Sequence, residues 1–199
     1  MSYNFFDKHP FLKDAISISG FVFCVVIGTI FINTFIFRSF SVVGPSMETT
    51  LYTNDRLIVN RLAVTLTQLK NQDYKPSRGQ IIVFKNPKYA EGLGDEYIVK
   101  RVIAFAGERV TLTDGKYTVF NKANPKGFNP DDQNDGEPGD YTTGSVDTVV
   151  PKGELFVSGD HRIGSYSYDS RNGLGTIPIY DVVGPVCVRL FPFDKIRTF

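Results

Sequence analysis

"EYIVKRVIAF", Glu96–Phe105, sets two adjacent cations, Lys100 and Arg101, in the middle of an apolar, β-branched run. Read as a strand, its period of two puts Ile98, Lys100, Val102 and Ala104 on one face and Val99, Arg101, Ile103 and Phe105 on the other. Each face is apolar apart from its cation. That pattern predicts a strand covered on both sides, with one cation drawn into a low-dielectric site. Burial there lowers the pKa of a lysine, whereas an arginine stays charged.

The surrounding sequence has the same character. "SFSVV" (39–43), "DRLIVNRL" (55–62), "QIIVF" (80–84), "RVTLT" (109–113), "KYTVF" (116–120), "ELFVSG" (154–159) and "GPVCVRLF" (184–191) are short β-branched and aromatic runs bounded by Gly, Pro, Asn and Asp, and they read as strands. Only "VTLTQLKNQ" (64–72) suggests a short helix. The expected class is therefore mainly β: one N-terminal transmembrane helix followed by an antiparallel β domain over residues 38–199, with a smaller β/loop insertion at about 111–150. Within the insertion, "KANPKGFNPDDQNDGEPGDYTTGS" (122–145) is dense in turn formers and reads as a solvated surface loop. Asp131, Gln133, Asp135 and Gly136 fit the opening of a calcium loop, but Thr142 stands where the bidentate glutamate is required.

From Ala15 to Phe37 no residue is charged, and this stretch as a helix reaches about 34 Å, enough to cross a hydrocarbon core of ~30 Å. It ends in "FIFRSF", without the small-x-small site of a cleaved secretory signal, so it reads as a retained anchor over 15–37 with residues 1–14 as a short preceding segment. Lys8 and Lys13 are offset by Asp7 and Asp14, and the flanking charges do not set its orientation. Over the whole chain, 22 Lys plus Arg against 21 Asp plus Glu leave no basic field for nucleic acid. Cys24 and Cys187 are far apart, His9 and His161 sit in different regions, and no zinc-ligand spacing exists. The expectation is chemistry without metal or cofactor.

One hydroxyl stands out. "VVGPSMETTL" (42–51) places Ser46 just beyond the anchor, where it is either a turn hydroxyl or a nucleophile needing a base. His9 lies across the anchor and cannot serve. His161, in "SGDHRIGSYSYDSRNGLG" (158–175), and a buried neutral Lys100 are the two candidate bases.

Taken in order, "SVVGPSMETTL", "NDRLIVNRL", "RGQIIVFKNP", "YIVKRVIAFAGE" and "SGDHRIGSYSYDSRNGLGTIP" resemble the successive signature boxes of bacterial type I signal peptidases, membrane peptidases with a serine/lysine dyad. The resemblance runs from Ala15 to Pro178 and fades in the insertion. It implies Ser46 as nucleophile and Lys100, rather than Arg101, as general base. Ser167 would orient the lysine amine by a hydrogen bond, and Asp169 and Arg171 would brace the site as an ion pair. Val43, Met47, Leu51 and Val99 would line shallow pockets for small side chains, giving cleavage after Ala-x-Ala type sequences. The implied partners are preproteins bearing signal peptides, the lipid bilayer and the secretion channel. The implied location is the cell membrane, single-pass, with residues 1–14 cytoplasmic and the catalytic domain extracytoplasmic.

The chain departs from the family pattern in several places. Thr49 replaces a proline after the nucleophile, and Ala106, Gly107 and Glu108 replace Pro-Gly-Asp. His161 replaces an asparagine, and two extra residues before Asp169 make Ser165 a rival to Ser167. Gly44 stands where some members carry an oxyanion serine, which leaves the backbone N–H of Ser46 as the expected donor there. The aromatic end, "RLFPFDKIRTF" (189–199), reads as a core strand with a polar tail.

Overall fold

The computed structural model describes residues 10–89, 95–134, 138 and 141–199. The start of the expected cytoplasmic segment, and Asp135 and Gly136 of the rejected calcium loop, lie outside those residues. The first element is a helix, α1 (Pro10–Phe35). It begins five residues before the uncharged stretch, with Pro10 at its first position, where a missing N–H costs nothing, and it runs through Lys13 and Asp14. It stops at Phe35 because the next residues enter a strand. The span Phe11–Phe35 is long and apolar enough to cross a membrane, and the rest of the chain buries none of it.

Strands β1 (Phe37–Ser41), β2 (Arg56–Asn60), β3 (Ile81–Lys85), β4 (Tyr97–Phe105), β8 (Glu154–Ser158), β9 (Ile177–Pro178) and β10 (Val182–Phe191) form an antiparallel sheet in the order β1-β2-β10-β3-β4-β8-β9. A short strand, β11 (Arg197–Thr198), adds to β10. The second sheet is built from β5 (Arg109–Thr113), β6 (Lys116–Phe120) and β7 (Val146–Val149), with β5 in the centre. A short helix, α2 (Leu62–Leu69), follows β2. The fold is thus mainly antiparallel β behind one apolar helix.

β4 is the spine of the molecule. It pairs with β3 from Tyr97 to Arg101 and with β8 from Arg101 to Phe105, and every residue from Lys100 to Ala104 is buried. Ile98 and Val102 join one apolar cluster, with Ile82, Phe84, Val157 and Leu174, while Val99 packs against another, with Met47, Leu51, Leu57 and Val83. The strict alternation ends at a register shift between Val102 and Ala104. There Ile103 and Ala104 both enter a third cluster, with Val110, Tyr117 and Phe156, that joins the two sheets. A bulge of this kind lets one strand serve two cores.

Part of the expected solvated loop is docked. Asn129 caps the turn Pro130–Gln133, and Asp131 projects onto the buried Arg162, its carboxylate meeting Nη1 at 2.6 Å and Nη2 at 2.7 Å. The Arg162 guanidinium also lies 5.1 Å from the Tyr117 ring. A buried arginine needs a carboxylate, and here the insertion supplies it.

Candidate functional site

Ser46 sits on the connection between β1 and β2. The connection is folded back on itself: Val42 N–H donates to Asp55 C=O (2.9 Å), Asn54 N–H to Val42 C=O (3.0 Å), Glu48 N–H to Pro45 C=O (3.0 Å) and Leu51 N–H to Met47 C=O (2.8 Å). Gly44 adopts φ +87°, a left-handed conformation that favours glycine, and its N–H donates to Thr53 Oγ1. The Glu48–Thr49 peptide, where the family carries proline, is cis.

Lys100 reaches Ser46 from β4. Its Nζ lies 2.8 Å from Ser46 Oγ and 2.9 Å from the Val99 carbonyl oxygen, and the residue is 3 % exposed. Burial pushes the lysine pKa down to about 8, and the nearby carboxylates of Asp169, Asp160 and Asp95 partly oppose that fall. The neutral amine is therefore accessible near physiological pH. His161 takes a different place: its Nδ1 lies 3.2 Å from the Pro45 carbonyl oxygen, its ring stacks on Tyr166 at 4.7 Å, and its backbone N–H donates to Ser46 C=O at 3.1 Å. It holds the serine turn rather than the serine hydroxyl.

The turn Gly159–His161 is itself held from below. Asp169 accepts from Gly159 N–H at 3.0 Å and meets Arg171 Nε at 3.4 Å, both side chains being fully buried. Arg171 in turn donates to the carbonyls of Thr143, His161 and Arg162. Gly159 is wedged so tightly that a Cβ there would collide with both the Ser46 carbonyl oxygen and Ser167 Oγ.

Ser167 is fully buried against Gly159, whereas Ser165 is exposed. The expected hydrogen bond from Ser167 to the lysine is corrected: Ser167 Oγ has no hydrogen-bond partner among the described residues. The lysine amine is directed at Ser46 Oγ and the Val99 carbonyl, and Ser167 Oγ rests on the Gly159 backbone.

A cleft of about 420 Å³ opens over Ser46 and Lys100, lined by Phe40, Val43, Tyr97, Val99, Tyr166 and Tyr168 among others. Of the expected pocket residues, Val43 and Val99 line it. Met47 and Leu51 do not. Both are fully buried in the cluster beneath the serine turn, because the side chain after the half-exposed Ser46 points inward to close the core. Tyr166 and Tyr168 enter through the lengthened segment before Asp169. No motif marked them, although their alternation with serines in "SYSYD" was visible.

Arg101 is the second cation of β4, and no motif marks a role for it. It points to the opposite side from Lys100 and forms a buried two-pronged pair with Asp160, Nε at 2.7 Å and Nη2 at 2.6 Å. Thr50 Oγ1 donates to the same carboxylate at 2.5 Å, and Arg101 Nη1 donates to Gly79 C=O at 2.8 Å. The signal was available: an arginine in an apolar strand implies a buried acid elsewhere. At the end of β4, Glu108 takes the place of the family's aspartate and accepts from Phe105 N–H (2.8 Å), Arg78 (2.7 and 2.9 Å) and Asn121 (2.8 Å), with Gly107 at φ +81° completing the turn. Among the described residues no group of three or more His, Cys, Asp or Glu is placed to hold a metal ion.

Comparison with known proteins gives the family of the chain. The family described as signal peptidase, peptidase S26, matches residues 14–191. The chain is 35% identical over 181 residues to a signal peptidase I of Bacillus caldolyticus, covering 88% of this chain and 90% of that one. It is 32% identical over 168 residues to signal peptidase I P of Bacillus subtilis subsp. natto, covering 83% of each. A solved signal peptidase I from Enterococcus faecalis V583 shares 26% identity and a TM-score of 0.41, covering 56% of this chain and 96% of that chain. With a match spanning nearly the whole chain, the protein belongs to the signal peptidase family, peptidase S26, and is a serine peptidase of the signal peptidase I kind.

Proposed function

We propose that this chain is a membrane-anchored serine endopeptidase that removes signal peptides from exported preproteins with a Ser46/Lys100 dyad. The observation that carries the reading is the 2.8 Å approach of a buried Lys100 Nζ to Ser46 Oγ. In the neutral form the amine accepts the hydroxyl proton as Ser46 attacks the scissile carbonyl, and then delivers it to the leaving amine. The same amine next draws a proton from the water that attacks the acyl carbon, and returns it to Ser46 Oγ as the acyl–oxygen bond breaks. The developing oxyanion is received by the Ser46 backbone N–H, which no hydrogen bond among the described residues uses.

The substrate binds as an extended strand. Among the described residues β1 pairs only with β2, and no strand pairs with the second edge of Tyr97–Lys100, since the pairing of β8 with β4 starts at Arg101. The two free edges are held near one another by Arg38, which donates to Tyr97 Oη at 3.3 Å, and by the Phe40 and Tyr97 rings, 5.3 Å apart. An added strand satisfies those backbone groups, and the small side chains one and three positions before the cut would rest against Val43 and Val99 of the cleft wall. α1 crosses the bilayer once, with its N-terminal end cytoplasmic. Sharing a membrane face with emerging preproteins raises the effective substrate concentration.

The test is the cleavage of a preprotein carrying Ala at both recognition positions by the full chain in membranes, followed across pH. Because the active form has lysine neutral and its pKa is depressed to about 8, kcat/KM should climb tenfold per pH unit below that value and level off above it. A profile that is flat or that falls across this range would remove Lys100 as the base. Replacing the Ala before the cut by Leu should stop processing in the same assay.

Gly159→Ala gives a second expectation. The new methyl has no room between the Ser46 carbonyl and Ser167, so the serine turn must shift. A displacement of about 1 Å at a nucleophile costs roughly 10²-fold in kcat. Single-turnover cleavage at saturating substrate reads it. A rate within threefold of the parent would show that the turn tolerates the shift.

A further inference from the structure

We infer that α2 lies in the headgroup layer of the bilayer and presents Leu62, Leu66 and Leu69 to lipid; this rests on the reading of α1 as the membrane anchor. Those three leucines are 41%, 48% and 76% exposed. At about 100° per residue their spacing gathers them within an arc of roughly 60°. Val64, on the far side of the helix, is buried. An eight-residue helix that is apolar on two opposite faces has one face accounted for by the domain interior and one that stands exposed among the described residues.

Its position identifies what covers it. Arg61 N–H and Leu62 N–H both donate to the Ile36 carbonyl, at 2.8 and 3.2 Å, and Thr65 Oγ1 donates to the Phe35 carbonyl at 3.0 Å. The first turn of α2 is therefore fastened to the end of α1, within about one helix diameter of where that helix leaves the hydrocarbon. Thr65, which touches the α1 end, lies only about 40° round the helix from Leu69, so the leucine arc flanks the anchor. Residues 61–72 include Arg61 and Lys70 and no acid.

A short leucine face edged by cations beside a membrane helix matches an interfacial helix on an anionic lipid surface. Three leucine side chains are too small a patch for a second copy of the chain, since a stable dimer needs about 800 Å² per partner. Two attachments, α1 through the bilayer and α2 along it, would also fix rotation about α1 and so the direction in which the cleft faces.

The chain contains no tryptophan, so single tryptophans report without background. Full-length Leu66→Trp, Leu69→Trp, Gln68→Trp and Phe23→Trp are reconstituted separately in vesicles of phosphatidylcholine and phosphatidylglycerol. The lipids are brominated either near the top of the acyl chain or near its methyl end. An interfacial helix sits about 5–10 Å into the headgroup boundary. Shallow bromines should therefore remove at least half of the emission of the Leu66 and Leu69 reporters and deep bromines much less. The Gln68 reporter, about 100° away from Leu69, should lose little to either, and the Phe23 reporter should be quenched most by deep bromines. If Phe23→Trp is quenched while Leu66→Trp and Leu69→Trp are not, the inference is overturned and the anchor stands. A blue-shifted Leu66→Trp emission insensitive to bromine would indicate protein contact instead and also overturn it. Absence of quenching at Phe23 would overturn the anchor and the inference together.

Discussion

Lys100→Arg is expected to lower preprotein cleavage by about 10³-fold or more, although it keeps the charge and most of the length of the side chain. The reason lies in proton affinity. A general base contributes about 10²–10⁴-fold, and only a group that can lose its proton near working pH supplies it. The low-dielectric setting that brings the lysine pKa down to about 8 leaves a guanidinium charged. An arginine at 100 would then sit protonated beside Ser46 Oγ and stabilise the hydroxyl without accepting its proton. Ser46→Ala removes the nucleophile and should be at least as inactive. Lys100→Met, close in shape to the neutral lysine, should be equally slow while its thermal unfolding stays near the parental one. Measurement of kcat/KM with the Ala-bearing preprotein decides it, and activity within tenfold of the parent for Lys100→Arg would refute the dyad.

Asp160→Ala is expected to be the most destabilising single change away from the hydrophobic core. The Arg101 and Asp160 side chains are 8% and 0% exposed, and the carboxylate receives two guanidinium hydrogen bonds and the Thr50 hydroxyl. Removing it strands a buried cation, at a cost of about 3–5 kcal/mol. Arg101→Met combined with Asp160→Leu takes away both charges and should recover much of that loss, because well-packed apolar groups tolerate the same site. Urea unfolding of the full chain in detergent, followed by circular dichroism, reads both values. A single-variant cost below about 1 kcal/mol would mean that water reaches Arg101. The Asp160 carboxylate also holds the Lys100 pKa up, so any residual activity of Asp160→Ala should show its pH midpoint moved below that of the parent.

These two variants separate what was readable from what was not. Lys100 and Arg101 are neighbours in one apolar run, and alternation alone sent them to opposite sides of β4. Each of the eight runs read as strands contains one or part of one, because β-branched alternation reports a pleated, covered surface directly. β7 was missed: "VDTV" in a turn-rich region has little preference of its own and becomes a strand by pairing with β5, aided by Arg109 on Asp147 at 2.6 Å. The ends of α1 moved for a related reason. Lack of charge marks the stretch that suits a hydrocarbon interior, whereas the helix persists through Lys13 and Asp14 and stops where β1 begins to pair.

The sequence by itself determined the mainly β class, the apolar helix and the candidates Ser46 and Lys100, since these follow from local periodicity, charge-free length and ordered motifs. Only the tertiary structure decided that Lys100 rather than His161 approaches the serine hydroxyl, that Met47 and Leu51 turn into the core, and that Asp160 meets Arg101 and Asp131 meets Arg162. The three pairings join residues between about 30 and 60 positions apart along the chain. Such partners are selected by sheet register and by the need to pair every buried charge, and neither requirement leaves a mark in the neighbouring residues.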